Sequence, residues 1–197
     1  MKRSLLFNMF LAAWLLLPGQ AAAQDKAEAA ITARLDQFIA ATSNKDWNGV
    51  LDLTYPALFT LASREEMLAL FDQMENSGMD IQFKDMKINS ISPVFPFDTL
   101  LFTQISYSAE MTIGFEGDLY GDDVLPFLKT SFETTFGKDN VAFNKENKTF
   151  RILAEKSLFG VAEKDAGNWY FIENNPEQDI LLKEIIPAEV RGHFSKQ

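Results

Sequence analysis

Between Leu101 and Phe115 the sequence alternates. Leu101, Ile105, Tyr107, Ala109, Met111, Ile113 and Phe115 stand at odd positions, with Gln104, Ser106, Ser108, Glu110 and Thr112 among the residues between them. Successive side chains of a strand point to opposite faces, so this segment reads as one long strand with a dry face and a wet one. Such a strand belongs to an antiparallel sheet with one face on the core and the other in water.

The residues before it read as helices, then as a first strand. Ile31, Leu35, Phe38 and Ile39 form the stripe of an amphipathic helix that follows a loose start and ends near Asn44. Asp46 is placed to cap a short helix carrying Trp47, Val50 and Leu51, which must stop before Pro56. Ser63 and Glu66 have the spacing of a capping box, ahead of Met67, Leu70, Phe71 and Met74, and Gly78 is placed to end that third helix. From Met79 the period becomes two. Met79, Ile81 and Phe83 share one parity, whereas Met86 and Ile88 take the other, so a bulge near Lys84 and Asp85 is expected to bend the strand.

After the long strand, Asp122, Asp123 and Pro126 suit the first turn of a fourth helix with Leu125, Leu128, Phe132 and Phe136 on one side and Gly137 at its end. Val141 to Phe143, a turn at 144–148 and a strand from Thr149 to Ala162 read as a hairpin. GNWYFIEN, residues 167–174, is the last strand. Trp169 and Phe171 lie on one of its faces, Tyr170 and Ile172 on the other, and neither face is polar. One pair must line the inside of the sheet. The other needs a cover, because a monomer seldom exposes a large apolar patch. The apolar tail supplies one, through Ile180 to Leu182, Ile185, Ile186, Val190 and Phe194. A homodimer through the sheet is the second candidate.

Helices followed by a bent antiparallel sheet make an α+β domain, with the amino-terminal helices packed in the concavity of the sheet. The fourth helix and the apolar tail complete it. With no repeat or linker, residues 24–197 are read as a single domain.

Residues 1–23 are read as a cleaved secretory signal peptide. Lys2 and Arg3 precede the apolar run Leu5 to Leu17, and Pro18, Gly19 and Ala21 to Ala23 suit cleavage before Gln24. No membrane span is expected after that cleavage, and the place of the protein is periplasmic or secreted. The chain has no cysteine, which removes disulfides and thiolate chemistry and leaves stability to the hydrophobic core. The leader holds two of the 18 basic residues and none of the 28 acidic ones, so the mature chain carries 16 against 28, a charge of −12. That field opposes phosphate backbones, and no nucleic acid partner is expected.

This order of elements, from Lys26 to Glu173, resembles the nuclear transport factor 2-like (cystatin-like) superfamily. The short helix running into LDLTYPALF and the terminal Gly-Asn-Trp-Tyr-Phe-Ile-Glu carry the likeness, and the tail IIPAEVRGHF resembles an element of secreted bacterial members. The resemblance implies a strongly curved antiparallel sheet wrapped cone-like around an amino-terminal helix, often with a pocket, and makes the helix from Asp123 to Phe136 an inserted one. It covers isomerase-like, cyclase-like and dehydratase enzymes as well as binding domains, so it does not choose a function.

Catalytic residue types are sparse. The single histidine, His193, stands four residues from the end of the sequence and reads as a tail residue. Glu116, Asp118, Asp122 and Asp123 do not have the spacing of a calcium loop, and neither a metal nor a cofactor is expected. Asn147 to Thr149 matches a glycosylation acceptor but reads as a turn. A buried carboxylate acting as general base is the one enzymatic option, with Asp52 as base and Tyr55 or Tyr107 as donor. The 18 phenylalanines fit a filled core or an apolar cavity equally well. Trp47, Tyr55, Phe59, Tyr107, Met111, Trp169 and Phe171 are the candidate binding residues. The residues thus imply an exported, non-catalytic domain of the bacterial envelope that binds a small apolar ligand or an envelope protein. The alternative is a small isomerase, cyclase or dehydratase.

Overall fold

The computed structural model describes residues 18 to 196 except 118, 122, 165, 166 and 176 to 178; the side chains of 18–23 and of Asp179 also lie outside the description. The charged start and apolar run expected of the leader, at 1–17, therefore fall outside the described residues. Helix α1 covers Pro18–Ser43, so the start expected to be loose is helical. The alanines at 21–23, 27, 29 and 30 account for the difference, since alanine has the highest intrinsic helix propensity.

Helix α2, Trp47–Asp52, is capped by Asp46, whose carboxylate accepts the Gly49 N–H at 3.0 Å. A 3-10 turn at Pro56–Thr60 leads to α3, Arg64–Asn76. Both halves of the capping box form: Ser63 Oγ accepts the Glu66 N–H, and the Glu66 carboxylate accepts the Ser63 N–H at 2.8 Å. The Ser63 N–H and, beside it, the Ser63 hydroxyl donate to the Glu66 carboxylate and hold that carboxyl below its usual range.

Six strands follow, interrupted by one helix. Strands β1, Met79–Ile91, β2, Phe95–Phe97, and β3, Leu100–Phe115, precede α4, Val124–Phe136. Strands β4, Val141–Asn144, β5, Thr149–Glu163, and β6, Tyr170–Glu173, come after it. All the described strand pairs are antiparallel. β3 runs between β1 and β5, β2 extends the β1 side, and β4 and β6 pair with the two ends of β5. The sheet is curved. A register shift between Lys84 and Lys87, with Asp85 at a φ of 47°, puts the bulge where the parity change predicts it. β2 was not legible in advance, since Pro96 argues against a central strand; at the edge it is tolerated. Asp123 makes no capping bond to α4, and Asp122 lies outside the described residues.

The dry face of β3 is buried from Thr103 to Phe115, and Leu101 at its start is half-buried. At one end Ile105, Tyr107 and Ala109 meet Ile31 and Leu35 of α1; at the other Met111, Ile113 and Phe115 meet Leu125 of α4. The last strand resolves its own ambiguity. Trp169 and Phe171 turn inward to α1, and Ile172 turns outward. The cover is the tail, as helices α5, Asp179–Ile185, and α6, Ala188–Phe194. Leu182, Ile186, Val190 and Phe194 close over Phe102, Phe159, Val161 and Ile172.

Close packing at this end depends on Gly160. A Cβ there would stand 2.7 Å from Thr103 Cγ2 and 3.2 Å from Ile105 Cδ1. Thr103 is fully buried and its hydroxyl donates to Ser92 O at 2.8 Å, so it cannot turn aside freely. Gly160→Ala is expected to destabilise the fold by about 1–3 kcal/mol through overpacking. A lower urea midpoint with an unchanged slope is the expected reading.

Candidate functional site

Between the inner face of the sheet and helices α2 and α3 lies a cavity of about 420 Å³. Its floor is Tyr107, Ala109 and Met111 of β3, with Leu158 of β5 and Phe171 of β6 beside them. Phe38 of α1 and Val50 and Leu51 of α2 form one wall. The roof is α3, through Met67, Leu70 and Phe71. This helix has the apolar stripe of a core helix, yet none of its residues is buried. It is held at its ends instead. Arg64 pairs with Asp52 at 2.8 Å and bonds the Asn48 carbonyl, while Trp47 Nε1 donates to Glu75 at 3.0 Å. Trp47 stacks on Phe71 with ring centroids 4.3 Å apart, and a smaller space of about 110 Å³ continues beneath that pair.

The lining is apolar except for a few groups. The hydroxyls of Thr42 and Thr54 donate to their own helical carbonyls, Phe38 O and Val50 O. Tyr107 is 8% exposed and its hydroxyl makes no hydrogen bond to a described residue, so that hydroxyl opens on the cavity. Burial pushes its pKa well up, with the Glu173 charge adding to the effect, and the phenol stays a protonated donor. Lys156 is its cross-strand partner on β5 and forms an ion pair with Glu173 at the end of β6. This pair stands where the cavity meets a polar groove along the free edge of β5, bordered by Ser157 and Asn174.

The structure sorts the expected site residues. Trp47, Tyr107, Met111 and Phe171 line the cavity. Trp169 does not: it packs in the α1 core, and its carbonyl accepts from Arg34 Nε at 3.3 Å. Phe59 is half-buried outside the lining. Tyr55 packs toward the tail cluster on the outer side, because its N–H bonds Phe171 O at 2.9 Å and carries the chain across the edge of β6. Asp52 is a correction. It ends α2 on the solvent side, its side chain is 69% exposed and Arg64 holds it, so it cannot be a cavity base. Glu110 points to the wet face and pairs with Arg151. Among the described residues no cluster of three or more metal-ligating side chains forms, and no helix is long and apolar enough to cross a membrane.

Lys156 and Glu173 were missed, although each leaves a mark in the sequence. Phe150, Ile152, Ala154, Lys156 and Leu158 share one parity, and so do Trp169, Phe171 and Glu173. Each series puts one charge, of opposite sign, on a dry face.

The chain matches no protein-family description and no curated protein. Among solved structures it is similar to a protein of Streptomyces avermitilis provisionally named a dehydratase of the NTF2-like family. The identity is 12% and the TM-score 0.36, over 75% of this chain and 93% of the other. A likeness at that level carries no argument about chemistry.

Proposed function

We propose that this chain is an exported binding domain of the nuclear transport factor 2-like cone type, holding a small apolar ligand between its sheet and α3. The observation that carries the reading is the roof: a helix with an apolar stripe and no buried residue stands over a cavity whose polar groups, the two threonines apart, gather at one end. Its volume of about 420 Å³ falls in the range of small-molecule sites. Export follows from the leader-like first 23 residues, and a mature chain beginning at Gln24 in an envelope fraction is the expected result of amino-terminal sequencing.

Titration with the neutral apolar dye N-phenylnaphthylamine tests the site. Saturable enhancement is expected for the native protein. Ala109→Phe places a ring on the cavity floor and is expected to weaken binding about tenfold or more. Absence of saturable binding to the native protein would sink the reading.

A rival enzymatic reading now passes to Glu173, which with Tyr107 offers an acceptor and a donor on one wall. Its carboxylate is already engaged by Lys156, so the binding reading is preferred.

A further inference from the structure

We infer that the cavity takes a neutral single-chain amphiphile, an apolar tail ending in an uncharged oxygen group such as an alcohol or ester, and that the Lys156–Glu173 pair turns away charged heads of either sign. This rests on the binding reading above and adds a ligand class to it.

The threonine hydroxyls of the lining are already donating, which leaves three groups to meet a ligand head: the Tyr107 hydroxyl, the Lys156 ammonium and the Glu173 carboxylate. They share one wall, since Tyr107 faces Lys156 across β3 and β5, and Glu173 pairs with Leu158 two residues on. The rest of the cavity can only hold an apolar chain. Its volume, toward the low end for small-molecule sites, suits one chain rather than two.

Now place each kind of head against that wall. A carboxylate reaching Lys156 either displaces Glu173 or shares the ammonium with it, so that two carboxylates face one cation and one charge is left uncompensated. An ammonium reaching Glu173 likewise leaves two cations on one carboxylate. An unpaired charge against an apolar wall is expensive, and partial solvent access at the rim reduces that expense without removing it. A neutral hydroxyl or carbonyl accepts from Tyr107 and leaves the ion pair whole. The net charge of −10 further disfavours anions.

The test is displacement of N-phenylnaphthylamine by dodecanol, dodecanoate and dodecylammonium, near neutral pH, below the micelle concentrations of the two ions and below the solubility limit of the alcohol. For the native protein dodecanol is expected to displace the dye at a concentration about tenfold lower than either ion. Glu173→Gln leaves Lys156 unpaired and should shift the preference toward dodecanoate by about tenfold; Lys156→Met should do the same for dodecylammonium. Both side chains are at the rim, and thermal unfolding of each variant checks that the fold persists. Equal displacement by dodecanoate and dodecanol from the native protein would overturn the inference while leaving the cavity reading intact. So would two variants with unaltered charge preference. A native protein that binds no dye would instead remove the cavity reading itself.

Discussion

A chain ending at Asn175 will fail to remain a stable monomer. The missing segment contains α5 and α6, whose Leu182, Ile186, Val190 and Phe194 are nearly or fully buried on the outer face of the sheet. Without them Phe102, Phe159, Val161 and Ile172, now 0%, 2%, 1% and 9% exposed, face water as one patch. Burying a side chain of this size stabilises by about 1.5–3 kcal/mol, so the four together represent about 6–12 kcal/mol. Relief from ordering the tail offsets part of this. What remains is large against the roughly 5–15 kcal/mol that hold a domain of this kind together. Light scattering after size exclusion is expected to show dimers or aggregates, and the melting temperature to fall. Val190→Asp is the milder version: Val190 is fully buried, and a carboxylate there forces the tail off or stays unpaired. A truncated chain that stays monomeric and melts as the native one does would show that the tail is not the cover.

That cover could be anticipated because it follows from parity. In WYFIE both sides of the strand are apolar, and a sheet with helices in its concavity can shelter only one. The parity change between Phe83 and Met86 likewise had a single local solution, a bulge. Both are arguments about adjacent residues, and adjacent residues are what a sequence displays. The extent of α1 was misjudged for a different reason. Its alanine-rich start has helix propensity but no apolar stripe, and periodicity sees only the stripe.

The site was less legible, because it depends on register and on distances between elements far apart in the chain. Lys156 and Glu173 meet only because β6 pairs with β5 with Glu173 opposite Leu158; a shift of one residue would turn Glu173 to the outer face. Asp52 looked attractive beside Tyr55, yet the two flank a turn that sends one to solvent and the other to the tail. Whether the cone is hollow depends on how far α3 stands off, and that is set by its end tethers, Arg64 to Asp52 and Trp47 to Glu75. No pattern within α3 distinguishes a helix resting on a core from one roofing a space.

Phe171→Ala will be among the most damaging single substitutions in the inner core. The ring is 1% exposed and meets Phe38 edge-on with centroids 5.7 Å apart. Its backbone ties two parts of the fold: the N–H donates to Leu53 O at 2.8 Å, and the carbonyl accepts from Tyr55 at 2.9 Å. Alanine keeps both backbone bonds, so the expected loss is that of the ring alone, about 3–5 kcal/mol for a buried phenylalanine. Each kcal/mol shifts the melting temperature of a domain this size by about 2–4 °C, and a fall of about 8–16 °C is expected for a loss near 4 kcal/mol. Because Phe171 also borders the cavity, its removal enlarges the space, and saturable dye binding should persist while stability falls. The two readouts therefore separate. A variant within about 1 kcal/mol of native stability would mean that β6 does not close the inner core, and with it the floor on which the proposed ligand rests would lose its support.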